Sequence, residues 1–184
     1  MQKTTPSSST AIERRQQIEA VCLRLLARRE HSRRELLDKL ALRGYQRDEV
    51  EPVIDALAER DWQNEERYAE CYVRQRIQNG YGPIRIRYEL QQRGIDGADL
   101  DAQAEEQGGW LNLAMAVYLR KYDEDTSLTQ TEWLKRSRFL QQRGFSGEMI
   151  KGLFAELKIK LNRRLKSGET DFTDWAAAKL EIKT

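Results

Sequence analysis

The sequence predicts an all-α protein of three tandem three-helix repeats that form an elongated, curved, solenoid-like molecule. The first observation is a phrase that recurs every 50 residues, as LALRGY at Leu40–Tyr45, LQQRGI at Leu90–Ile95 and LQQRGF at Leu140–Phe145. A period of this length is typical of repeat proteins, in which each unit is stabilised by its neighbours. The second observation is that apolar residues between the phrases follow helical spacing, and no segment alternates like a strand.

Each recurring phrase has the features of a helix C-terminus. Its leucine is the last core-facing position, its arginine places positive charge near the negative end of the helix dipole, and its glycine can adopt the left-handed conformation that closes the last turn. The apolar residue after the glycine is expected to fold back onto the helix. We therefore assign Gly44, Gly94 and Gly144, with the arginine before each, to capping rather than to chemistry.

The first repeat is expected to cover residues 11–61, after a polar lead-in of residues 1–10 that we expect to be disordered. Its helices begin near Ala11, at a capping box formed by Ser32 and Glu35, and at a cap formed by Asp48. Their core faces carry Ile18, Val21, Cys22, Leu25 and Leu26, then Leu36, Leu37 and Leu40, then Val50, Val53, Ile54 and Leu57.

The second repeat is expected to cover residues 62–109. Asn64 caps its first helix, and Gly82-Pro83 begins the second, because proline is favoured at the first helical position. Asp96 is expected to begin a short acidic third helix. The apolar residues of the three helices are Ala69, Tyr72, Val73 and Ile77, then Ile84, Ile86, Tyr88 and Leu90, then Leu100, Ala102 and Ala104.

The third repeat is expected to cover residues 110–166, followed by a C-terminal tail of residues 167–184. An apolar helix runs from Trp110 to Tyr122 and is followed by a loop over Asp123–Leu128. Thr129 and Glu132 form a second capping box, and Ser146 caps a ninth helix that is expected to continue into the basic segment KIKLNRRLK. The tail contains Phe172 and Trp175 and has the composition of one more short helix.

Composition favours a protein of a reducing, aqueous compartment. The chain has 184 residues, of which 34% are charged, and only three prolines. Its two cysteines, Cys22 and Cys71, lack metal-type spacing and are expected to be buried thiols. No apolar run reaches the length of a membrane span, so we expect a cytoplasmic protein. Because neighbouring repeats account for the apolar stripes, we expect a monomer.

The sequence contains no constellation typical of an enzyme. The single histidine, His31, lies beside a helix cap, where we expect it to be exposed. Cys/His metal spacing and a glycine-rich phosphate loop after a strand are both absent. We therefore predict a protein without catalytic activity, metal or cofactor.

Charge is sorted along the chain although the net charge is only +2. Residues 96–109 hold five acids and no Lys or Arg, whereas residues 133–166 hold ten Lys or Arg and two acids. Arginines also crowd the second repeat, and a basic cluster lies in the equivalent helix of the third. Clusters on equivalent helices favour an anionic partner, either nucleic acid phosphates or an acidic protein surface. The basic residues are Arg74, Arg76, Arg85, Arg87 and Arg93, then Lys135, Arg136, Arg138 and Arg143.

The central run WQNEERYAECYVRQRIQNGYGPIRIRYELQQRGI, residues 62–95, resembles the signature of the RecX family of recombination regulators. Arg34-Glu35-Leu36 through Leu40 resembles the first unit of that family. Residues 138–140 and 143–145 resemble the third, so the likeness covers roughly residues 11–157. One departure is Trp62-Gln63-Asn64-Glu65, where the family often has a leucine followed by acids.

The resemblance implies three tandem three-helix repeats and a regulator of homologous recombination and DNA repair. Family members bind in the groove of the RecA filament and generally suppress its ATPase, strand-exchange and coprotease activities. It thus implies a RecA filament on single-stranded DNA as partner, with direct contact to DNA left open. Arg74, Arg76, Arg85, Arg87 and Arg93 lie in the matching signature, and we add the basic cluster of the third repeat as filament-binding candidates.

Two other interpretations remain open from the residues. The first is a nucleic-acid-binding helical repeat protein that acts without RecA, favoured by the basic stretch of residues 133–166 and its interleaved aromatic residues. The small net charge and the acidic segment of residues 96–109 weigh against it. The second is a helical-repeat scaffold for another protein.

Overall fold

The structure is a computed structural model that describes residues 8–123 and 127–162. These residues form nine α-helices and two short β-strands. In chain order they are α1 (Ser8–Leu26), α2 (Arg33–Ala41), α3 (Arg47–Glu59), α4 (Glu65–Gln78), α5 (Pro83–Gln91), α6 (Leu100–Glu105), α7 (Gly109–Leu119), β1 (Ser127–Thr129), α8 (Gln130–Arg143), α9 (Gly147–Glu156) and β2 (Lys160–Asn162). The chain divides into two compact units, which we call unit one and unit two.

Unit one contains residues up to Asn79 together with Ile86–Gln103. Helices α1, α2 and α3 bury one apolar cluster, because each presents leucine, isoleucine or valine at helical spacing. Ser32 begins α2 as predicted, since its hydroxyl accepts from the Glu35 amide at 3.1 Å. Asn64 likewise begins α4 by accepting from the amides of Glu66 and Arg67. The cluster comprises Ile18, Cys22, Leu36, Leu40, Val50, Val53, Ile54 and Leu57.

Three helix starts differ from the predictions. Helix α1 begins at Ser8, so the last residues of the expected disordered lead-in are helical, and residues 1–7 lie outside the described part. Helix α3 begins at Arg47, and the Glu49 carboxylate accepts from the Gln46 amide at 2.9 Å, so Asp48 is not its cap. Helix α6 begins only at Leu100, because Gly97 has a φ of 77° and Asp99 accepts from the Ala102 amide.

Among the described residues, unit two contains Gly80–Arg85 and those from Ala104 to Asn162. Its core packs α7 against α9. The Tyr118 and Phe154 rings meet edge to face with centroids 5.8 Å apart, and the Trp133 ring lies 4.4 Å from Phe154. Aromatic pairs in this arrangement add stability beyond the area that they bury.

The three recurring phrases end their helices as predicted. Gly44, Gly94 and Gly144 have φ values of 82°, 78° and 94°. The amide after each glycine donates to the carbonyl of the phrase's leucine at 3.1 or 3.2 Å, which satisfies a carbonyl that the helix leaves open. These leucines, Leu40, Leu90 and Leu140, are at most 2% exposed, so the assignment to core and cap is confirmed.

The expectation of a chain without strands is wrong for two short segments. Strand β1 pairs in parallel with β2, and α8 and α9 form the crossover that parallel pairing requires. Three-residue strands are too short to show an alternating pattern. The ninth helix therefore ends at Glu156 rather than continuing into the basic segment, since Lys158 has a φ of 52° and β2 follows. The expected tail of residues 167–184 lies outside the described residues, and the elongated, curved shape remains a prediction.

Candidate basic interface

The nine basic residues singled out from the sequence fall into groups that differ in exposure. Five are exposed, three are half-buried and one is buried. Burial matters because a cation that already has buried protein partners contributes little to an external anion. The exposed residues are Arg74, Arg85, Arg87, Lys135 and Arg138; the half-buried ones are Arg76, Arg93 and Arg143; the buried one is Arg136.

In unit one, Arg76 and Arg93 are engaged by carboxylates. The Arg76 Nη2 atom lies 2.6 Å from the Glu89 Oε1 atom, and the Tyr72 hydroxyl donates to the other oxygen of Glu89 at 2.7 Å. The Arg93 Nε atom lies 3.7 Å from Glu35, and its guanidinium lies 4.5 Å from the centroid of the Tyr72 ring. These two arginines therefore hold unit one together, which sequence spacing did not reveal.

Hydrogen bonding controls the protonation of this carboxylate network. Burial tends to raise the pKa of Glu35, but hydrogen bonds from Tyr68 and Arg29 outweigh it, so the pKa lies below its usual value. The Tyr68 hydroxyl donates to Glu35 at 2.9 Å. Burial and the bond to Glu89 raise the pKa of Tyr72 to about 12. Glu35 therefore stays charged at neutral pH.

In unit two, Arg136 and Arg143 are used for packing. Arg136 is 6% exposed, donates to the Tyr118 hydroxyl at 2.7 Å and lies 4.8 Å from the centroid of the Tyr122 ring. Arg143 donates to the Gly80 carbonyl at 3.2 Å and lies over the Phe139 ring. Helix spacing alone did not show that α8 turns the Arg136 side chain inward, and its assignment as a filament contact stays a prediction.

Arg85 is exposed but also has partners within the protein. Its guanidinium stacks over the Tyr81 ring at 4.5 Å and donates to the Gln142 carbonyl at 3.2 Å, both within unit two. Exposure leaves part of the group accessible. Its replacement would disturb packing as well as charge.

Three arginines of the set are exposed and make no hydrogen bond or ion pair within the described residues: Arg74 on α4, Arg87 on α5 and Arg138 on α8. Arg74 lines a cleft of about 410 Å³ with Tyr68, Tyr72 and Cys71. Arg138 lines another cleft of about 410 Å³ in unit two, together with Lys121 and Lys135. Of the predicted residues, these three are the ones whose charge is most available to a partner.

His31, which the sequence predicted to be exposed, belongs to a buried link in unit one. His31 is 3% exposed, not solvated, and burial lowers its pKa. Its carbonyl accepts from the Gln63 side-chain amide at 3.3 Å, and Gln63 is 4% exposed. The departure at Trp62–Glu65 thus includes a structural contact.

The prediction that both cysteines are buried is wrong for one of them. Cys22 is buried, but Cys71, expected to be buried, is exposed.

Within residues 8–123 and 127–162 there is no group of three or more His, Cys, Asp or Glu side chains arranged to hold a metal ion. None of the helices in that part of the chain is both long enough and apolar enough to cross a membrane. What the arrangement offers chemically is a set of exposed guanidinium groups, suited to binding anions.

Three family models match successive parts of the chain. Their descriptions are the first, second and third three-helix domains of RecX, and they match residues 20–57, 64–102 and 111–153. The prediction of three tandem three-helix units is therefore confirmed. Arg74, Arg87 and Arg93 fall within the second match, and Lys135, Arg138 and Arg143 fall within the third.

Curated relatives carry the name regulatory protein RecX. A protein of Halorhodospira halophila is 44% identical over 134 residues, which span 72% of this chain and 83% of the relative. One from Acidithiobacillus ferrooxidans is 41% identical and spans 72% and 85%. One from Legionella pneumophila is 36% identical and spans 74% and 91%. These relatives are named as regulatory proteins rather than as enzymes.

Solved structures share the fold. A crystal structure of a regulatory protein RecX superposes with a TM-score of 0.66 at 22% identity and covers 83% of this chain and 80% of its own. RecX from Lactobacillus salivarius superposes with a TM-score of 0.64 at 24% identity and covers 81% and 99%. Together with the identity of the curated relatives, the three domain matches show that this chain belongs to the RecX family of regulatory proteins.

Proposed function

We propose that this protein regulates recombination and DNA repair by binding in the groove of a RecA filament on single-stranded DNA. Binding inhibits the ATPase, strand-exchange and coprotease activities of the filament. The protein acts as a cytoplasmic monomer, by occupying a surface and not by catalysis. Family membership supports the class of function, since the relatives are named regulatory proteins.

The observation that carries the proposal is the set of available arginines, Arg74, Arg87 and Arg138. They are exposed, and the described residues supply them with no ion pair, so their charge is not neutralised within the molecule. A guanidinium binds phosphates and carboxylates through paired hydrogen bonds, and a filament on DNA presents both. Contacts made by successive repeats of one chain add through effective concentration, so each of them can be weak.

The proposal is tested by titrating the protein into a RecA ATPase assay on single-stranded DNA at fixed salt. Binding to the same DNA without RecA is measured in parallel. We expect inhibition at protein concentrations well below that of RecA, with much weaker binding to the naked DNA. Undiminished ATP hydrolysis, at concentrations that saturate the DNA, would contradict a role as a filament regulator.

Two charge-reversal variants test whether inhibition depends on the surface that carries Arg87. Arg87→Glu should raise the concentration for half-inhibition about tenfold, because one accessible cation contact is replaced by repulsion worth roughly 1.4 kcal/mol. Arg34→Glu is the matched control, since Arg34 is also exposed and makes no ion pair among the described residues of unit one. Equal effects of the two variants would mean that only net charge matters.

One observation favours a second candidate, a nucleic-acid-binding protein that acts without RecA. The unit-two cleft places Lys121, Lys135 and Arg138 beside Tyr122 and Phe139, a combination of cations and rings that is found at single-strand binding sites. A steep fall of naked-DNA affinity with salt, unchanged by RecA, would support this candidate. The paired titration above distinguishes it from the first.

A further inference from the structure

One face of α8 in unit two is left uncovered by the described residues and forms a cleft, which we call the α8 cleft. Its α8 residues are spaced at intervals of three and four, so they lie along one side of the helix. Leu134 in this row is 45% exposed and lines the cleft together with the rings of Tyr122 and Phe139. The cleft is lined by Lys121, Tyr122, Thr131, Leu134, Lys135, Arg138, Phe139 and Gln142.

The cleft combines positive charge with an apolar floor. The Lys121 Nζ atom lies 4.0 Å from the centroid of the Phe139 ring. Among the described residues, Lys135 pairs with the carboxylate of Glu132 at 3.2 Å, a surface pair that contributes little. Arg138 makes no ion pair within the described residues. The chemistry that fits is a short acidic segment that also carries aromatic side chains.

The chain itself contains such a segment, outside the described residues. Residues 169–175 read Glu-Thr-Asp-Phe-Thr-Asp-Trp, so three acids alternate with two large aromatic residues. From residue 167 to residue 178 there is no Lys or Arg. This acidic run follows the basic segment of residues 158–166, which makes its charge unlike that of the chain on either side.

The last described residues place this segment within reach of the cleft. Strand β2 ends at Asn162, which pairs with Thr129, and Thr129 is the N-cap of α8. The chain therefore leaves the described part beside the start of the helix that forms the cleft. Asp171 follows Asn162 by nine positions, enough to span about 30 Å when extended. Helix α8 is about 21 Å long, so Lys135 and Arg138 are both within that distance.

We propose that residues 169–175 dock in the α8 cleft of the same molecule. The carboxylates of Asp171 and Asp174 pair with Lys121, Lys135 and Arg138, while Phe172 and Trp175 cover Leu134 and the ring of Phe139. Because the segment is tethered, its effective concentration is on the order of millimolar, and weak contacts are sufficient. Docking covers Lys135 and Arg138, so it competes with an external anionic partner; this second part rests on the proposed function.

Carbodiimide cross-linking of the full chain tests the docking. The reagent joins carboxylates to amines that are in ion-pair contact, and mass spectrometry of an equal mixture of ¹⁴N- and ¹⁵N-labelled protein separates links within one chain from links between chains. We expect links from Asp171 or Asp174 to Lys121 or Lys135 within one chain, lost at high salt. Links found only between chains, or none to these lysines, would overturn the proposal.

Charge reversal provides the matched controls. Asp171→Lys/Asp174→Lys should abolish the link, as should Lys135→Glu/Arg138→Glu, and combining the four changes should restore it with reversed polarity. Lys151→Glu/Lys158→Glu, which reverses two exposed cations of unit two outside the cleft, should leave the link unchanged. Failure of the combined variant to restore the link would refute pairing at these positions.

A binding measurement separates the docking from the competition. If the tail competes with an external anion, Asp171→Lys/Asp174→Lys should bind a single-stranded oligonucleotide or a RecA filament about tenfold more tightly than wild type. Reversing Glu13 and Glu59 to lysine is the control for net charge, because both are exposed residues on helices of unit one. An equal gain from that control would overturn the competition, while the cross-link would still report the docking.

Discussion

The pentapeptide LQQRG occurs twice, at Leu90–Gly94 and Leu140–Gly144, and the two copies behave differently although their local structures agree. Both end a helix with a left-handed glycine and bury their leucine. At Gly94 an added Cβ atom would have no atom within 4 Å, whereas at Gly144 it would lie 2.5 Å from the Arg85 backbone nitrogen. Identical sequence thus produces the same cap, but the neighbouring segments decide whether the glycine position has room for a side chain.

The reason for the difference lies in a backbone contact of unit two. The Gly82 amide donates to the Arg143 carbonyl at 2.7 Å, and the Ile84 amide donates to the Gly144 carbonyl at 3.1 Å. The segment that begins α5 therefore lies directly against the end of α8. At this distance there is no room for a side chain at either glycine, and repeat position alone does not show it.

The largest expected effect is that of Gly144→Ala. It combines a left-handed alanine with a clash against Arg85, so we expect a loss of about 3 to 4 kcal/mol in the free energy of unfolding. Urea denaturation followed by circular dichroism measures it. A loss no greater than that of Gly94→Ala would show that the contact between α5 and α8 is not tight.

Gly82→Ala isolates the steric part of that effect. Gly82 does not have a positive φ, yet an added Cβ atom would lie 2.5 Å from the Gly144 carbonyl oxygen. We expect a loss of about 2 kcal/mol from overpacking alone. The double variant with Gly144→Ala should lose less stability than the sum of the two single losses. Both substitutions disrupt the same backbone contact, so the second has less left to disrupt. Full additivity would contradict a shared contact.

Tyr68→Phe probes the carboxylate network near the copy at Leu90–Gly94. Removing the hydroxyl that donates to Glu35 should cost about 1.5 kcal/mol at pH 7, because the acceptor is charged. The folded pKa of Glu35 lies below its unfolded value, so its stabilisation is present above the unfolded pKa and is lost as pH falls through the folded pKa. The cost of Tyr68→Phe should therefore shrink in acid.

Tyr118→Phe is the control for that pH series. Its hydroxyl accepts from Arg136 in unit two, and arginine does not titrate in the acidic range. We expect its cost to be the same at pH 7 and pH 3.5. Parallel changes for both variants would indicate general acid destabilisation rather than the titration of Glu35.

Gly94→Ala has the smallest expected effect. Only the left-handed conformation opposes the new methyl group, so a loss of about 1 kcal/mol is expected. Gly44→Ala should match it, since Gly44 has a φ of 82° and is equally open. Unequal losses in these two variants would mean that the caps of the first two repeats are less alike than their geometry indicates.

The basic residues show which property could not be predicted from the sequence, namely whether each side chain already has a partner within the protein. The clusters were visible in the sequence, but their division into available and engaged side chains was not. Arg76 pairs with Glu89, which is thirteen residues away, and Arg93 lies near Glu35, which is fifty-eight residues away. The inward turn of Arg136 depends on a tyrosine of α7. Sequence spacing identifies only i, i+3 and i, i+4 partners within one helix, and none of these pairs is of that kind.

The sequence by itself determined most of the core faces and many of the helix ends, because capping and helical periodicity depend on residues a few positions apart. The caps at Ser32, Asn64, Thr129 and Ser146 and the three glycine stops were all predicted in this way. Only the tertiary structure decided which arginines remain available, why Gly144 has no room for a side chain, and that His31 is buried. Those properties depend on atoms brought together from distant parts of the chain, so the spacing of residues within a helix does not predict them.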